Sequence, residues 1–249
     1  MVFSGTLDIA RHLDLAPTMP SLGTESLEIP DVEMVAAFFE IDDDDMEGLL
    51  PPALHPTIPP TVQFFGMKAV DGPLGPFALA QVRVGCRAGV RPRGCTTLCY
   101  CDSVPASKAL SERWGFPIQP GEVEIQHNYD RVQLVAEADG RRILSVELID
   151  PLPIGGADVQ YTASVNLAKA SHDGDEKPWL IQVDPEYAIR RADRALPSLH
   201  LFEAEAWAAD GVIPVYPITG TYTVSDMTLP ELRYLMDPAK NAFVGTVTL

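Results

Sequence analysis

Three side chains in this sequence stand where strand alternation can turn a cationic or titratable group toward an interior: Lys68, Arg83 and His127. A lysine amine forms an imine with a carbonyl once burial or a neighbouring cation lowers its pKa. An arginine fork holds a carboxylate or an enolate oxygen by two parallel hydrogen bonds. A histidine titrates nearest neutral pH and can move a proton. In residues 61–70, TVQFFGMKAV, Phe64, Gly66 and Lys68 share one face, and Phe65, Met67 and Ala69 the other. In residues 77–84, FALAQVRV, Phe77, Leu79, Gln81 and Arg83 oppose the apolar Ala78, Ala80, Val82 and Val84. In residues 122–129, Val123, Ile125, His127 and Tyr129 form the apolar side, which should point inward and carry His127 with it. Each has a plainer expectation as well. A lysine near a strand end snorkels to solvent, an arginine faces solvent or a neighbouring subunit, and a lone histidine on an apolar face is a satisfied core residue.

The segment that positions these strands runs from Gly94 to Gly121. It begins as a strand that Asp102-Ser103 ends. Pro105 suits the first turn of a helix, where its missing N–H is not needed. Ala106, Ala109, Leu110 and Trp114 then make one apolar stripe, opposite Lys108 and Glu112. Gly115 is a natural stop. Phe116 to Gly121, with two prolines, is held extended.

Strand, D-x-x-P-A, short helix, aromatic-Gly-Phe-Pro: this order resembles the acetoacetate decarboxylase superfamily. Leu49 to Leu54 is similar to that family's V-P-x-P-L segment, and Gly72 to Phe77 to its G-x-Gly-x-Tyr turn. The three segments align almost without gaps between residues 31 and 120, and the second half matches in order and length of strands. The resemblance implies a mainly β (α+β) fold, an antiparallel double sheet or closed barrel with a few short helices, enclosing a pocket and commonly assembled as a homo-oligomer. In the family, aromatic-Pro-Lys supplies a lysine that forms a Schiff base with a β-keto acid. That position falls on Ile118, followed by Gln119. The family's two acidic pocket residues fall on Phe64 and Leu79, and its upstream arginine on Val32. In this register Lys68 shares the interior with Phe64, and Gln81 and Arg83 share it with Leu79.

Composition bounds the partners. A net charge of −17 and a pI near 4.5 disfavour nucleic acid and anionic membrane surfaces, while 46% apolar content is that of a globular chain. No stretch approaches a membrane helix in length, and the N-terminus has no signal-peptide pattern, so the expected compartment is the cytoplasm. Cys86, Cys95, Cys99 and Cys101 contain no C-x-x-C pair. They are expected to be free and buried, with Cys95, Cys99 and Cys101 on one strand face and no metal. No phosphate loop, dinucleotide fingerprint, G-x-S-x-G or H-E-x-x-H is present, so no cofactor is expected.

The whole of 1–249 reads as one domain, with 1–30 an irregular arm. Asp42 to Asp45 opens a short helix to Leu50. Arg87, Arg91 and Arg93 are expected to be exposed, and Glu147 is a candidate interior acid. Asp139-Gly140 marks a hairpin, residues 171–177 a polar loop, residues 199–207 a strand, and the capping box Thr228 to Glu231 a helix to about Met236. Three functions fit. The first is an enzyme acting non-covalently on a hydrophobic keto-acid or polyketide-like molecule by cyclisation, isomerisation or dehydration. Phe64, Leu79, Trp114, Phe116, Ile118 and Gln119 would line its pocket, and Lys68, Gln81, Arg83 and His127 would orient a carbonyl and move a proton. The second is a non-catalytic small-molecule binder. The third is a decarboxylase or aldolase whose amine is Lys68.

Overall fold

Alternating apolar residues in the first half of the chain need cover on both faces, and the strand pairing supplies it. The computed structural model describes residues 4–23, 25–42, 46–88 and 91–249. Its longer strands are β1 (Leu27–Ile41), β2 (Thr61–Ala69), β3 (Phe77–Ala88), β4 (Arg91–Cys101), β5 (Ile118–Pro120), β6 (Glu122–His127), β7 (Arg131–Ala138) and β8 (Arg141–Ile149). They continue with β9 (Ala163–His172), β10 (Asp175–Val183), β11 (Glu186–Ala195), β12 (Pro197–Phe202), β13 (Pro214–Leu229), β14 (Tyr234–Met236) and β15 (Thr246–Thr248).

Two sheets result. The large one runs from the short strand Leu152–Pro153 through β11, β13, β1, β2, β3, β4, β9, β10 and β14 to β15. The small one has the order β12, β8, β7, β6. One face of the large sheet packs on the small sheet, burying Val35, Phe39, Phe64, Val82 and Leu98 against Ile125, Leu134, Val146 and Trp207. The other face curls around α1 (Val104–Trp114), burying Met34, Phe65, Met67, Leu79 and Cys99 with Leu110, Trp114, Phe116, Ile181 and Met227. The ladder has no end-to-end pairing among the described residues. The curl is fixed instead by contacts across it: the Tyr161 hydroxyl donates to Thr223 Oγ1 at 2.9 Å, and Arg83 donates to the Thr162 carbonyl at 2.9 Å.

Helix α1 forms as its sequence dictates. Pro105 lies in its first turn, Ala106, Leu110 and Trp114 are its buried side, and Gly115 closes it at φ +69°. The β7–β8 hairpin turns on Asp139 and Gly140, both at positive φ (51° and 72°), as a two-residue turn of this hand requires. The same chemistry overturns the loop expected over 171–177. β9 and β10 pair up to His172 and Asp175, and Asp173-Gly174 alone makes the turn, at φ 53° and 82°. The helix expected over 228–236 does not form. Leu229 pairs with Leu27 at the end of β13, so ladder bonds replace the capping pattern. The strand expected over 199–207 ends at Phe202, and Ala204–Trp207 is a 3-10 turn. Another 3-10 turn covers Met46–Leu49, while the Asp43–Asp45 part of the expected helix lies outside the described residues.

A bulge in β4 decides which side chains share a face. Leu98 opposes Val82 but Thr96 opposes Arg83, so Thr97 is the extra residue. Cys95 therefore joins the first core while Cys99 and Cys101 join the second, which corrects the single cysteine row expected from strict alternation. Gly66 lets the sheets approach: a Cβ there would lie 2.4 Å from Leu134 Cδ1. Gly66→Ala should therefore destabilise the fold by roughly 1–3 kcal/mol, the usual cost of overpacking. In urea unfolding, Leu134→Ala in the same chain should recover part of that loss; two strictly additive losses would mean that the contact is not the cause.

Candidate functional site

Arg83 is the side chain around which a site assembles. It comes from the inner face of β3, 4% exposed. Its stem fits because a diagonal neighbour on β4 has no side chain in the way: a Cβ on Gly94 would lie 2.8 Å from Arg83 Cβ and 2.9 Å from Cδ. Gly85, the cross-strand partner of Gly94, keeps the adjoining space open, since a Cβ there would sit 2.2 Å from Thr61 Oγ1.

The guanidinium is held on three sides. Nε donates to Gln81 Oε1 at 2.9 Å, and Nη1 donates to the Thr162 carbonyl at 2.9 Å and to Gln63 Oε1 at 3.4 Å. Its carbon lies 4.5 Å from the centre of the Phe65 ring, a cation–π contact. Every one of these partners is neutral. Burial lowers the Arg83 pKa, and nearby Tyr187 and Cys99 act in the opposite direction; an arginine in this setting stays charged. Opposite it, Tyr161 and Tyr187 stack at 3.9 Å. Burial raises both phenols, with Arg83 pulling Tyr187 back, so both are neutral donors at neutral pH.

Arg83 forms the floor of a cavity of 420 Å³. Phe38, Pro92 and Ile218 give it apolar wall, Thr57, Thr61, Thr219 and Thr221 give hydroxyls, and Gln63 and Gln160 give amides. Arg93 and Arg194 complete the lining, which among the described residues contains no carboxylate, histidine or lysine. Arg93, expected to be exposed, is buried. Its Nη1 pairs with Asp184, while its Nε has no partner among the described residues. Arg87 is exposed as expected, and the Arg91 side chain lies outside the described residues.

Of the residues singled out in the sequence, the structure brings only Gln81 and Arg83 together here. Lys68 lies on the other face of the sheet, opposite Glu33 on β1 and Ala78 on β3. The pairing sets Phe65, not Phe64, on the face of Leu79 and Arg83. The carried-over register is thus one residue out on β2, and one residue reverses every side chain of a strand. Phe64 is instead wedged edge-on between Phe39 and Phe202 in the first core. Leu79, Trp114 and Phe116 are packed in the second core, where Trp114 Nε1 donates to the Pro230 carbonyl at 2.8 Å. Ile118 packs against that core and, with Gln119, lines a separate open groove beside Ser107 and Lys108 of α1. His127 is exposed at the end of β6, stacked on Tyr222 at 4.7 Å, with Arg191 Nη2 3.1 Å from its Nε2. Glu147 is a buried acid, paired with Arg131 at 2.9 Å and His200 at 3.1 Å.

Gln63, Phe65, Tyr161, Tyr187 and Arg194 were not singled out by sequence reasoning. Gln63 and Phe65 alternate together along β2, but which β2 face accompanies Arg83 depends on cross-strand register. The two tyrosines and Arg194 reach the site only through the curl.

Residues 15–176 match the family model for acetoacetate decarboxylase. Among solved structures, the acetoacetate decarboxylase of Legionella pneumophila is similar at 16% identity and a TM-score of 0.71, over 88% of this chain and 88% of that one. The enduracididine biosynthesis enzyme MppR, complexed with the condensation product of pyruvate and imidazole 4-carboxaldehyde, is 14% identical with a TM-score of 0.67, over 88% of this chain and 93% of that one. An acetoacetate decarboxylase-like enzyme from Sphingomonas wittichii RW1 is 14% identical with a TM-score of 0.64, over 85% of this chain and 94% of that one. Among curated protein sequences none matches. At these identities the likeness is one of fold. The described residues contain no cluster of ligands that could hold a metal.

The thiols give a pH test of the packing around Arg83. Burial raises Cys95 from 9.0 to about 12 and pushes Cys86, Cys99 and Cys101 upward. The unfolded chain therefore loses these protons first as pH rises. The stability they contribute is intact below pH 9 and declines from there through about 12. At pH 8 the folded protein should be nearly inert to an aromatic disulfide reagent, and all four thiols should react in denaturant; rapid labelling of folded protein would show that the packing is open.

Proposed function

Because the chain belongs to the acetoacetate decarboxylase family, we propose that it binds a small, partly apolar keto acid on this scaffold and acts on it without an imine, Arg83 taking the acid's negative charge. The observation that carries this reading is a buried guanidinium with only neutral partners at the floor of a cavity. A buried charge needs a counter-charge, and a carboxylate can accept from Nη2, the nitrogen that Gln81, Gln63 and Thr162 leave without a partner among the described residues. MppR, of the same fold, has been found complexed with pyruvate, which supports a keto acid as the class of ligand.

The reaction fitting these groups is enolisation followed by isomerisation, cyclisation or dehydration. The C–H bond beside the carbonyl breaks, its proton passes to water at the cavity mouth, and the electron pair is held as an enolate against the guanidinium. Positioning and a developing oxyanion matched to a fixed cation supply the rate enhancement. The lack of a base in the cavity lining favours a second reading, binding without turnover. An imine on Lys68 fits less well, because Lys68 and Arg83 occupy opposite faces of the sheet. The family's homo-oligomeric habit is carried over as part of the proposal. The acidic composition favours neither nucleic acid nor anionic membranes, and among the described residues no helix is long and apolar enough to cross a membrane.

Arg83→Gln should weaken binding of a short 2-oxo acid by roughly 10- to 100-fold in calorimetry, the size of a lost charged hydrogen-bond pair. Lys68→Met should leave it unchanged, and borohydride with the keto acid should leave Lys68 unmodified. Deuterium entering the carbon next to the carbonyl, lost in Arg83→Gln, distinguishes turnover from binding alone. A covalent adduct on Lys68 contradicts the reading.

A further inference from the structure

The same cavity contains more positive charge than one carboxylate needs, and this bears on the class of ligand. Three of the chain's thirteen arginines line it, Arg83, Arg93 and Arg194, with no acidic side chain in the lining. Arg93 is neutralised by Asp184 at the rim. Arg83 is not, and Arg194 bonds a backbone carbonyl, that of Asp158, at 2.5 Å, with no carboxylate partner among the described residues. Two full positive charges therefore remain, one at the floor and one at the mouth. This runs against the rest of the molecule, which at −17 repels anions at long range, the more so the more highly charged they are. Preference for a second negative charge must then come from local contacts.

Resting on the reading above, we propose that the ligand is a dianion: a keto dicarboxylic acid, one carboxylate on Arg83 and the second at the mouth on Arg194. Arg194 is a specificity residue in this arrangement and takes no part in bond making. Its position on β11, opposite Thr221 of β13, brings its charge to the rim from the strand beside the cavity wall.

Calorimetric titration of 2-oxopentanedioate and 2-oxopentanoate, equal in chain length and compared at fixed ionic strength, tests this. The dianion should bind about 5-fold tighter or more, the scale of one partly exposed charge pair with good geometry. Arg194→Gln should remove that preference, weakening the dianion more than the monoanion, and Arg83→Gln should weaken both. Equal affinities in the wild type, or a preference that survives Arg194→Gln, overturns the dianion inference and leaves the keto-acid reading standing. Absence of binding by either acid overturns both.

Discussion

The structure turns on burying one arginine without an acid beside it. A guanidinium taken out of water loses several kcal/mol of hydration even after relaxation. Here two glutamine amides, a backbone carbonyl and the face of Phe65 replace the water, and none of them cancels the charge. The surrounding features serve this placement. Gly94 clears room for the stem, the β4 bulge sets Thr96 opposite Arg83, Thr162 stands just before β9, and the curl of the large sheet brings Tyr187 over from β11, distant in the pairing order. A solitary cation held rigidly in low dielectric attracts an anion far more strongly than one at the surface.

The family's scaffold is retained. On the sequence resemblance, the positions of the family's lysine, one of its acids and its upstream arginine fall on Ile118, Leu79 and Val32. Leu79 and Val32 are core members, and Ile118 packs against the same core. Arg83, Gln81 and Gln63 lie on the same inner face as Leu79, toward the end of the sheet that opens at Pro92 and Gly94. Apolar packing takes one part of the inner face and the polar cavity around Arg83 the other.

Much of this was legible in the sequence. Pro105, Gly115 and the Ala106–Leu110–Trp114 stripe specify α1, and Asp139-Gly140 specifies its hairpin, because both signals are local. The pairing of Leu79, Gln81 and Arg83 on one face followed from alternation alone. What failed depended on distant chain. The face of β2 that accompanies β3 is set by ladder register, so Phe64 was exchanged for Phe65 and Lys68 was placed on the wrong side. His127 does continue the Val123–Ile125 face, but β6 ends where the cover ends. The capping pattern at Thr228 to Glu231 is a sound local signal, and pairing with Leu27 overrides it. Tyr161, Tyr187 and Arg194 reach the site only because the sheet bends back on itself, and no local pattern encodes that.

The most direct test of the central claim observes the guanidinium itself. In a 15N–1H spectrum of the arginine side chains, the Arg83 Nε–H, assigned by its loss in Arg83→Gln, should be protected from exchange by burial and by its bond to Gln81. Titration with a 2-oxo acid should shift that resonance saturably, with Lys68 unmodified. A spectrum in which Arg83 is unmoved while the acid binds elsewhere, or in which its Nε–H exchanges as fast as that of a surface arginine, would contradict the account.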